Sequence, residues 1–184
     1  MENLFFDKRD LKYCGNDVII GRTVRIRNPE KVSIGDGTII DDFTYISCSA
    51  TIGQYCHIAS NVNISGGGGH ITMGNYVGIA SGCSLHVQSS DYLFASFELP
   101  SIPTDKRFGG YGKSIILDDH VLLGAHSVVL PDVHLPEGLA TAAQTILRAK
   151  TYEPWFLYSG SDGKKLMRRN NKKLFKHLSN IGNF

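Results

Sequence analysis

The sequence predicts an all-β fold, a parallel β-helix of six-residue repeats with one long inserted loop and a short C-terminal helix. An aliphatic residue returns at every sixth position over most of the chain, and a small or turn-prone residue usually follows it. Neither a helix, with its period of about 3.6, nor a strand, with its period of about 2, produces a strict six. Short repeats of this kind stack coil on coil, so that each coil contacts only its neighbours.

The repeat runs in blocks that show where the solenoid begins, pauses and ends. A first pair of aliphatic residues is separated from the main block by an insertion. Within the main block the repeat slips by three residues at 66–69, and it then stops at a long loop and resumes after it. The repeated positions are Ile20, Ile26, Ile34, Ile40, Ile46, Ile52, Ile58, Ile64, Met73, Ile79, Leu85, Leu117, Leu123, Val129, Leu135, Thr141 and Leu147. We expect these side chains to form one apolar ladder in the core.

A second repeated position lies four residues after each aliphatic one and holds a small or β-branched residue, as at Thr38, Thr44 and Ala50. Six residues then make one short strand and one corner, and the small residue lets the chain bend past the aliphatic one. Cys56 and Cys83 occupy this second position. We therefore interpret both cysteines as packing residues and not as nucleophiles.

The domain organisation follows from where the repeat holds. We predict an N-terminal cap at 1–17, a β-helix domain at 18–150, and a C-terminal cap with a basic helix at 151–184. A loop at 86–113 is inserted in the β-helix, because no repeat can be placed there. Loops this long inside a compact domain are commonly functional. Its aromatic residues offer flat apolar faces for sugar rings and its charged residues offer hydrogen bonds, so we expect the loop to be functional.

Composition excludes several classes of protein. The net charge of +2 gives no strong general attraction to nucleic acid, and no apolar run is long enough to span a bilayer. The basic residues between Lys164 and Lys176 are interpreted as a solvated face. The four cysteines show no paired spacing, so we expect neither a metal ribbon nor a disulfide framework. The N-terminus shows no secretory signal, so we expect a cytoplasmic location.

Three stretches closely resemble the hexapeptide-repeat acyltransferases, in particular the sugar and polysaccharide O-acetyltransferases: IGDGTI, IGQYCH and LGAHSVVLPDV. The resemblance implies a left-handed helix with three flat faces, a homotrimer with active sites between neighbours, and a CoA thioester, acetyl-CoA, as co-substrate. It implies transfer to a hydroxyl of a sugar or polysaccharide precursor. An amino-sugar N-acetyltransferase and a non-catalytic binding protein remain as alternatives. No metal is expected, because His120 and His126 lack a third histidine at a zinc-site spacing.

Direct acyl transfer needs a base that accepts the proton of the attacking group. Histidine suits this task, because its pKa lies near neutrality. Of the seven histidines, only His86 stands where the rigid repeat meets the long loop. Similar enzymes carry their catalytic histidine a few residues into this loop, where this chain has Asp91 but no histidine. We predict His86 as the base with Asp91 beside it, and keep Asp91, His70 and His120 as alternatives.

The resemblance also implies a coenzyme site. Similar enzymes bind pantetheine through small residues stacked one coil apart, and Ala125 and Ala143 match these positions with a separation of 18 residues. Thr145, Arg148 and Lys150 follow where the family often has threonine and lysine near the phosphates. The resemblance therefore assigns all five residues to coenzyme binding.

Overall fold

A computed structural model describes residues 2–93, 95–112 and 114–181, with only the backbone of Ile181. Its strands, in chain order, are β1 (Tyr13–Cys14), β2 (Ile19–Ile20), β3 (Arg25–Ile26), β4 (Val32–Ile34), β5 (Ile39–Ile40), β6 (Tyr45–Ile46), β7 (Ser49–Ile52), β8 (His57–Ile58), β9 (Asn63–Ser65), β10 (His70–Met73), β11 (Gly78–Ile79), β12 (Ser84–His86), β13 (Ser114–Leu117), β14 (Leu122–Leu123), β15 (Val128–Val129), β16 (Val133–Leu135), β17 (Ala140–Thr141), β18 (Ile146–Leu147), β19 (Phe156–Ser159) and β20 (Lys164–Arg168). One α-helix, α1 (Lys172–Ile181), and three short 3-10 helices (Lys8–Asp10, Pro29–Lys31 and Thr104–Lys106) complete the described elements.

Three sheets form the faces of the solenoid. Face 1 has the order β1-β4-β7-β10-β13-β16, face 2 the order β2-β5-β8-β11-β14-β17-β19-β20, and face 3 the order β3-β6-β9-β12-β15-β18. From β1 to β18 each strand pairs in parallel with the strand three places along the chain, and β17 also pairs in parallel with β19. Among the strands of the described residues, β19 and β20 alone are antiparallel. This is the predicted left-handed β-helix, with about seven turns. The first turn begins at β1, inside the segment 1–17.

The predicted ladder is confirmed at every position from Ile20 to Leu147, since each of these side chains is at most 7% exposed. The second repeated position is also buried throughout, for example at Thr44, Cys56 and Val121. Polar members of this slot are paired inside the core. The Thr38 hydroxyl, for instance, donates to the Gly53 carbonyl at 2.9 Å and accepts the Cys56 N–H at 3.0 Å. The regular interior makes the corners and outer faces rigid supports.

The corner between faces 1 and 2 carries an aromatic ladder of Tyr55, Tyr76, His120 and Trp155. Successive ring centroids lie 5.8, 4.9 and 6.0 Å apart, and all four residues have a left-handed backbone with φ between 52° and 61°. In the coil between those of His120 and Trp155, the same corner position is occupied by Gly138, at φ 66°. Trp155 also contacts Phe175 of helix α1, with centroids 5.3 Å apart. The ladder therefore links the coils to the C-terminal helix.

The inserted loop leaves face 3 after β12 and returns at β13, and its described residues form an arm with two legs. Backbone hydrogen bonds join Ser89 to Tyr111 and Phe97 to Phe108 in antiparallel bridges. The aromatic rings of the second pair stack with centroids 6.3 Å apart. Phe94 and Lys113, which belong to the predicted loop, lie outside the described residues. The arm exposes large apolar side chains, among them Tyr92 at 85% and Leu93 at 86%.

The C-terminal segment differs from the sequence prediction in one respect. The sequence predicts a basic helix within 151–184, but the first basic residues, Lys164–Arg168, form β20 and the helix begins only at Lys172. The open edge of face 2 explains this, because β20 supplies hydrogen-bond partners to β19, which would otherwise be an edge strand. Among the described residues, no helix is both long enough and apolar enough to cross a membrane.

Candidate active site

The corner between faces 2 and 3 aligns three small residues from successive coils: Ser81, Ala125 and Ala143. The His126 N–H donates to the Ser81 carbonyl at 3.0 Å, and the Gln144 N–H donates to the Ala125 carbonyl at 2.8 Å. Ala125 is half-buried and Ala143 is exposed. The structure thus stacks the two predicted alanines and adds Ser81 to the same column.

The two predicted phosphate-binding residues lie beyond the last of these coils and contact one turn. Arg148 Nη1 donates to the Ser161 carbonyl at 2.5 Å. Lys150 Nζ donates to the carbonyls of Asp162 and Gly163 at 3.0 and 2.9 Å. Both residues are exposed, so the guanidinium and the ammonium stay at the surface and create a local positive charge beside the turn.

Thr145 lies inside the solenoid and is fully buried. Its hydroxyl donates to the Ala142 carbonyl at 2.8 Å, which satisfies the acceptor at this corner. A buried side chain cannot touch a ligand on the surface, so any contact of Thr145 with a coenzyme would have to use the backbone.

His86 ends β12 and stands at the root of the arm, as predicted. Its Nδ1 lies 2.9 Å from the hydroxyl of Ser65, the residue that pairs with it on β9. Partial burial lowers the pKa of the imidazole, because the charged form is poorly solvated there. This shift favours the neutral imidazole, which is the form that can accept a proton.

Asp91 lies five residues further on, within the arm, where the chain itself holds it. One carboxylate oxygen accepts the Leu93 N–H at 2.9 Å, and the Asp91 N–H donates to Ser96 Oγ at 3.2 Å. Ser96 Oγ in turn donates to Glu98 Oε1 at 3.2 Å. The other oxygen of Glu98, Oε2, is buried without a hydrogen-bond partner among the described residues. His86 is thus held at the end of β12 and Asp91 within the arm that follows it, each by its own partners.

Three of the four cysteines are unsuited to act as nucleophiles. Cys48, Cys56 and Cys83 are buried, and burial raises the pKa of each thiol, to about 11 for Cys48. A thiolate is needed for nucleophilic attack, so none of these three suits covalent catalysis near neutral pH. The packing role predicted for Cys56 and Cys83 agrees with this geometry.

Sequence reasoning missed two features of this surface. Ser81 occupies the repeat position of Ala125 and Ala143, two residues after the ladder aliphatic, and this shared position is the signal that would have found it. His57 Nε2 lies 2.8 Å from Asp41 Oδ2 on face 2, in an exposed pair that joins neighbouring coils. No local motif marks that pair, because its members are 16 residues apart.

Comparisons with known proteins show which proteins this chain resembles. The family model of bacterial transferase hexapeptide repeats matches residues 31–66. The dTDP-4-amino-4,6-dideoxy-D-glucose acyltransferase of Escherichia coli is 27% identical over 177 residues, which are 95% of this chain and 91% of that protein. AntD, an N-acyltransferase from Bacillus cereus solved with dTDP and 3-hydroxybutyryl-CoA, is 29% identical, covers 98% of this chain and 97% of its own, and superposes with a TM-score of 0.87.

A serine-to-alanine variant of AntD, solved with dTDP-4-amino-4,6-dideoxyglucose and coenzyme A, is 30% identical, with 98% of both chains covered. This chain belongs to the hexapeptide-repeat acyltransferases. The predicted family, the enzyme class and the CoA thioester as co-substrate are thereby confirmed. Sugar acylation is supported, but both relatives favour the predicted alternative, an amine acceptor, over the hydroxyl. Other solved AntD variants replace the same serine or an aspartate ten residues after it.

Proposed function

We propose that this acyltransferase transfers an acyl group from a CoA thioester to the amino group of a nucleotide-linked amino sugar. The observation that carries the proposal is the match, over almost the whole chain, to enzymes named for dTDP-4-amino-4,6-dideoxyglucose and for N-acyl transfer. The match includes the arm, which is the part of the fold outside the repeat. The likeness therefore extends beyond the solenoid that unrelated hexapeptide-repeat proteins share.

A separation in sequence supports Asp91 as the catalytic group. The serine and the aspartate replaced in AntD are ten residues apart, and Ser81 and Asp91 are the only serine and aspartate of this sequence with that order and separation. Ser81 lies in the proposed coenzyme column and Asp91 in the proposed acceptor arm. We assign proton acceptance to Asp91 and retain His86 as the alternative base.

An aspartate suffices when the acceptor is an amine. The neutral amine nitrogen attacks the thioester carbonyl carbon, the C–N bond forms, and the carbonyl oxygen becomes an oxyanion. The nitrogen then carries a positive charge, so its proton is acidic enough to pass to a carboxylate. Collapse of the intermediate breaks the C–S bond, and the thiolate takes up a proton as CoA leaves. A hydroxyl acceptor would need a stronger base, for which a histidine is better suited.

The two parts of the proposed site lie at opposite corners of face 3. Five residues lead from Ser81 to His86 at the end of β12, a distance of at most roughly 17 Å for a fully extended chain. We infer that the coenzyme corner of one copy meets the arm of a neighbouring copy in a homotrimer. The exposed apolar residues of the arm support this arrangement, because such side chains commonly mark contacts between subunits.

The experiment compares acceptors and bases in one assay. Purified protein is mixed with acetyl-CoA or 3-hydroxybutyryl-CoA and with dTDP-4-amino-4,6-dideoxyglucose, and CoA release and product mass are measured. The same sugar nucleotide with a hydroxyl in place of the amine is the matched acceptor control. We expect turnover with the amine only. Turnover with the hydroxyl compound alone would refute the assignment.

Two variants then separate the candidate bases. Asp91→Asn should lower kcat by about 100- to 10,000-fold, the usual range for loss of a general base, and leave CoA affinity unchanged. His86→Asn should retain most of the activity, because the proposal assigns proton acceptance to Asp91. The reverse ranking of the two variants would move the base to His86.

A further inference from the structure

A shallow groove on face 2 adjoins Ser81 and opens toward the coenzyme column. Its volume is about 340 Å³, and its outer lining is formed by His57, Ala59, Gly78, Ala80, Ser81 and Leu122. It exists because Gly78 has no side chain between His57 below it and Leu122 above it in the parallel register. A Cβ on Gly78 would come within 2.8 Å of Leu122 Cδ2, so even a methyl group would enter this space.

The column of Ser81, Ala125 and Ala143 determines where the thioester sulfur of the coenzyme lies. Neighbouring coils of a parallel sheet lie about 4.8 Å apart, so three steps separate Ser81 from the turn near Arg148 by about 14 Å. An extended pantetheine arm spans this distance. With its phosphates beside Arg148 and Lys150, its sulfur lies near Ser81, at the mouth of the groove.

The lining indicates the chemistry of the occupant. Leu122 and the small side chains give an apolar floor and wall, while polar side chains stand only at the ends, with Ser81 at one end and His57 at the other. Asp41 holds His57 through Nε2, and no partner of the other ring nitrogen is found among the described residues. A sugar ring would leave most of its hydroxyls without partners here, whereas a short acyl chain would not.

We propose that this groove binds the acyl chain of the CoA thioester and that it selects short chains longer than acetyl. This inference rests on the proposed function, because that function puts the thioester of the coenzyme near Ser81. His57 is placed to hydrogen-bond a hydroxyl on such a chain. The groove volume of about 340 Å³ is well above the need of one methyl group.

Two opposed substitutions test the groove with acetyl-CoA and butyryl-CoA as probes. Gly78→Val should fill it and raise the ratio of kcat/KM for acetyl-CoA over butyryl-CoA by about 10-fold or more, the usual effect of one or two methylenes in a pocket. Valine fits the strand, because Gly78 does not have a positive φ. Leu122→Ala should enlarge the groove and lower the same ratio. Ile19→Ala, on the same face but in the first coil, is the matched control and should leave the ratio unchanged.

Binding calorimetry makes the test independent of the acceptor. Wild-type protein should bind butyryl-CoA more tightly than free CoA, and Gly78→Val should abolish the difference while free CoA still binds. If the ratio of kcat/KM for the two thioesters is unchanged in both groove variants, the groove does not bind the acyl chain, while the proposed function stays intact. A change confined to KM for the amino sugar would reassign the groove to the acceptor and equally overturn the proposal. If wild-type protein transfers no acyl group but still binds butyryl-CoA more tightly than free CoA, the proposed function is contradicted and the groove is not.

Discussion

Gly138→Ala should destabilise the last coils more than its size suggests. Gly138 has φ 66°, and a Cβ there would lie 2.3 Å from Trp155 Cδ2. Alanine in a left-handed conformation costs about 1–2 kcal/mol, and forcing extra volume against a packed ring costs about 1–3 kcal/mol. Trp155 is only 8% exposed and contacts both His120 and Phe175, so it has little room to move. We therefore expect a loss of about 2–5 kcal/mol in the free energy of unfolding.

Urea denaturation at a fixed protein concentration measures the effect, followed by far-UV circular dichroism and by tryptophan fluorescence. Trp155 is the single tryptophan of the chain, so its emission reports on this corner directly. Gly67→Ala is the matched control, because its Cβ would meet nothing closer than the Ser47 carbonyl at 3.8 Å. That variant should stay within about 0.5 kcal/mol of wild type. If the two variants unfold at the same urea concentration, the strain argument is wrong.

The remaining predictions concern the coenzyme corner and assembly. Ala143→Trp should block CoA binding in calorimetry, because Ala143 is exposed in the proposed column, and Arg148→Ala combined with Lys150→Ala should weaken binding by about 1–3 kcal/mol. Unchanged CoA affinity in both proteins would remove this corner from the proposal. Light scattering at micromolar concentration should give three times the monomer mass of 20.2 kDa, and a monomer would contradict a site shared between copies.

The repeat was predictable from the sequence because its cause is local. Each coil must present an aliphatic side chain inward after a fixed number of residues, so Ile34 to Ile64 reveal the fold without any long-range information. The same periodicity placed Ala125 above Ala143. It also puts Thr145 four residues after Thr141, in the second inward position, so the burial of Thr145 follows from the repeat, whereas the resemblance alone assigned this residue to the coenzyme.

The arm and the tail were less predictable because their structure depends on pairing between distant residues. Lys164–Arg168 forms a strand only because β19 presents an open edge. Likewise, the contacts that hold Asp91 come from Leu93 and Ser96, which no repeat relates to it. Whether Asp91 or His86 accepts the proton depends on the acceptor and on how the coenzyme corner of a neighbouring copy meets the arm. Neither can be predicted from the pattern of residues around Asp91 and His86.

The arm interrupts the solenoid without disturbing it, since Ser84 on one side of the insertion still pairs in register with Val128 on the other. An insertion of this kind is mechanically independent of the coils that carry it. Evolution can therefore lengthen, shorten or rewrite the arm while the coenzyme corner keeps its geometry. Under the proposed function the acceptor site lies in the arm and the coenzyme site in the column, so the two specificities can change separately in evolution.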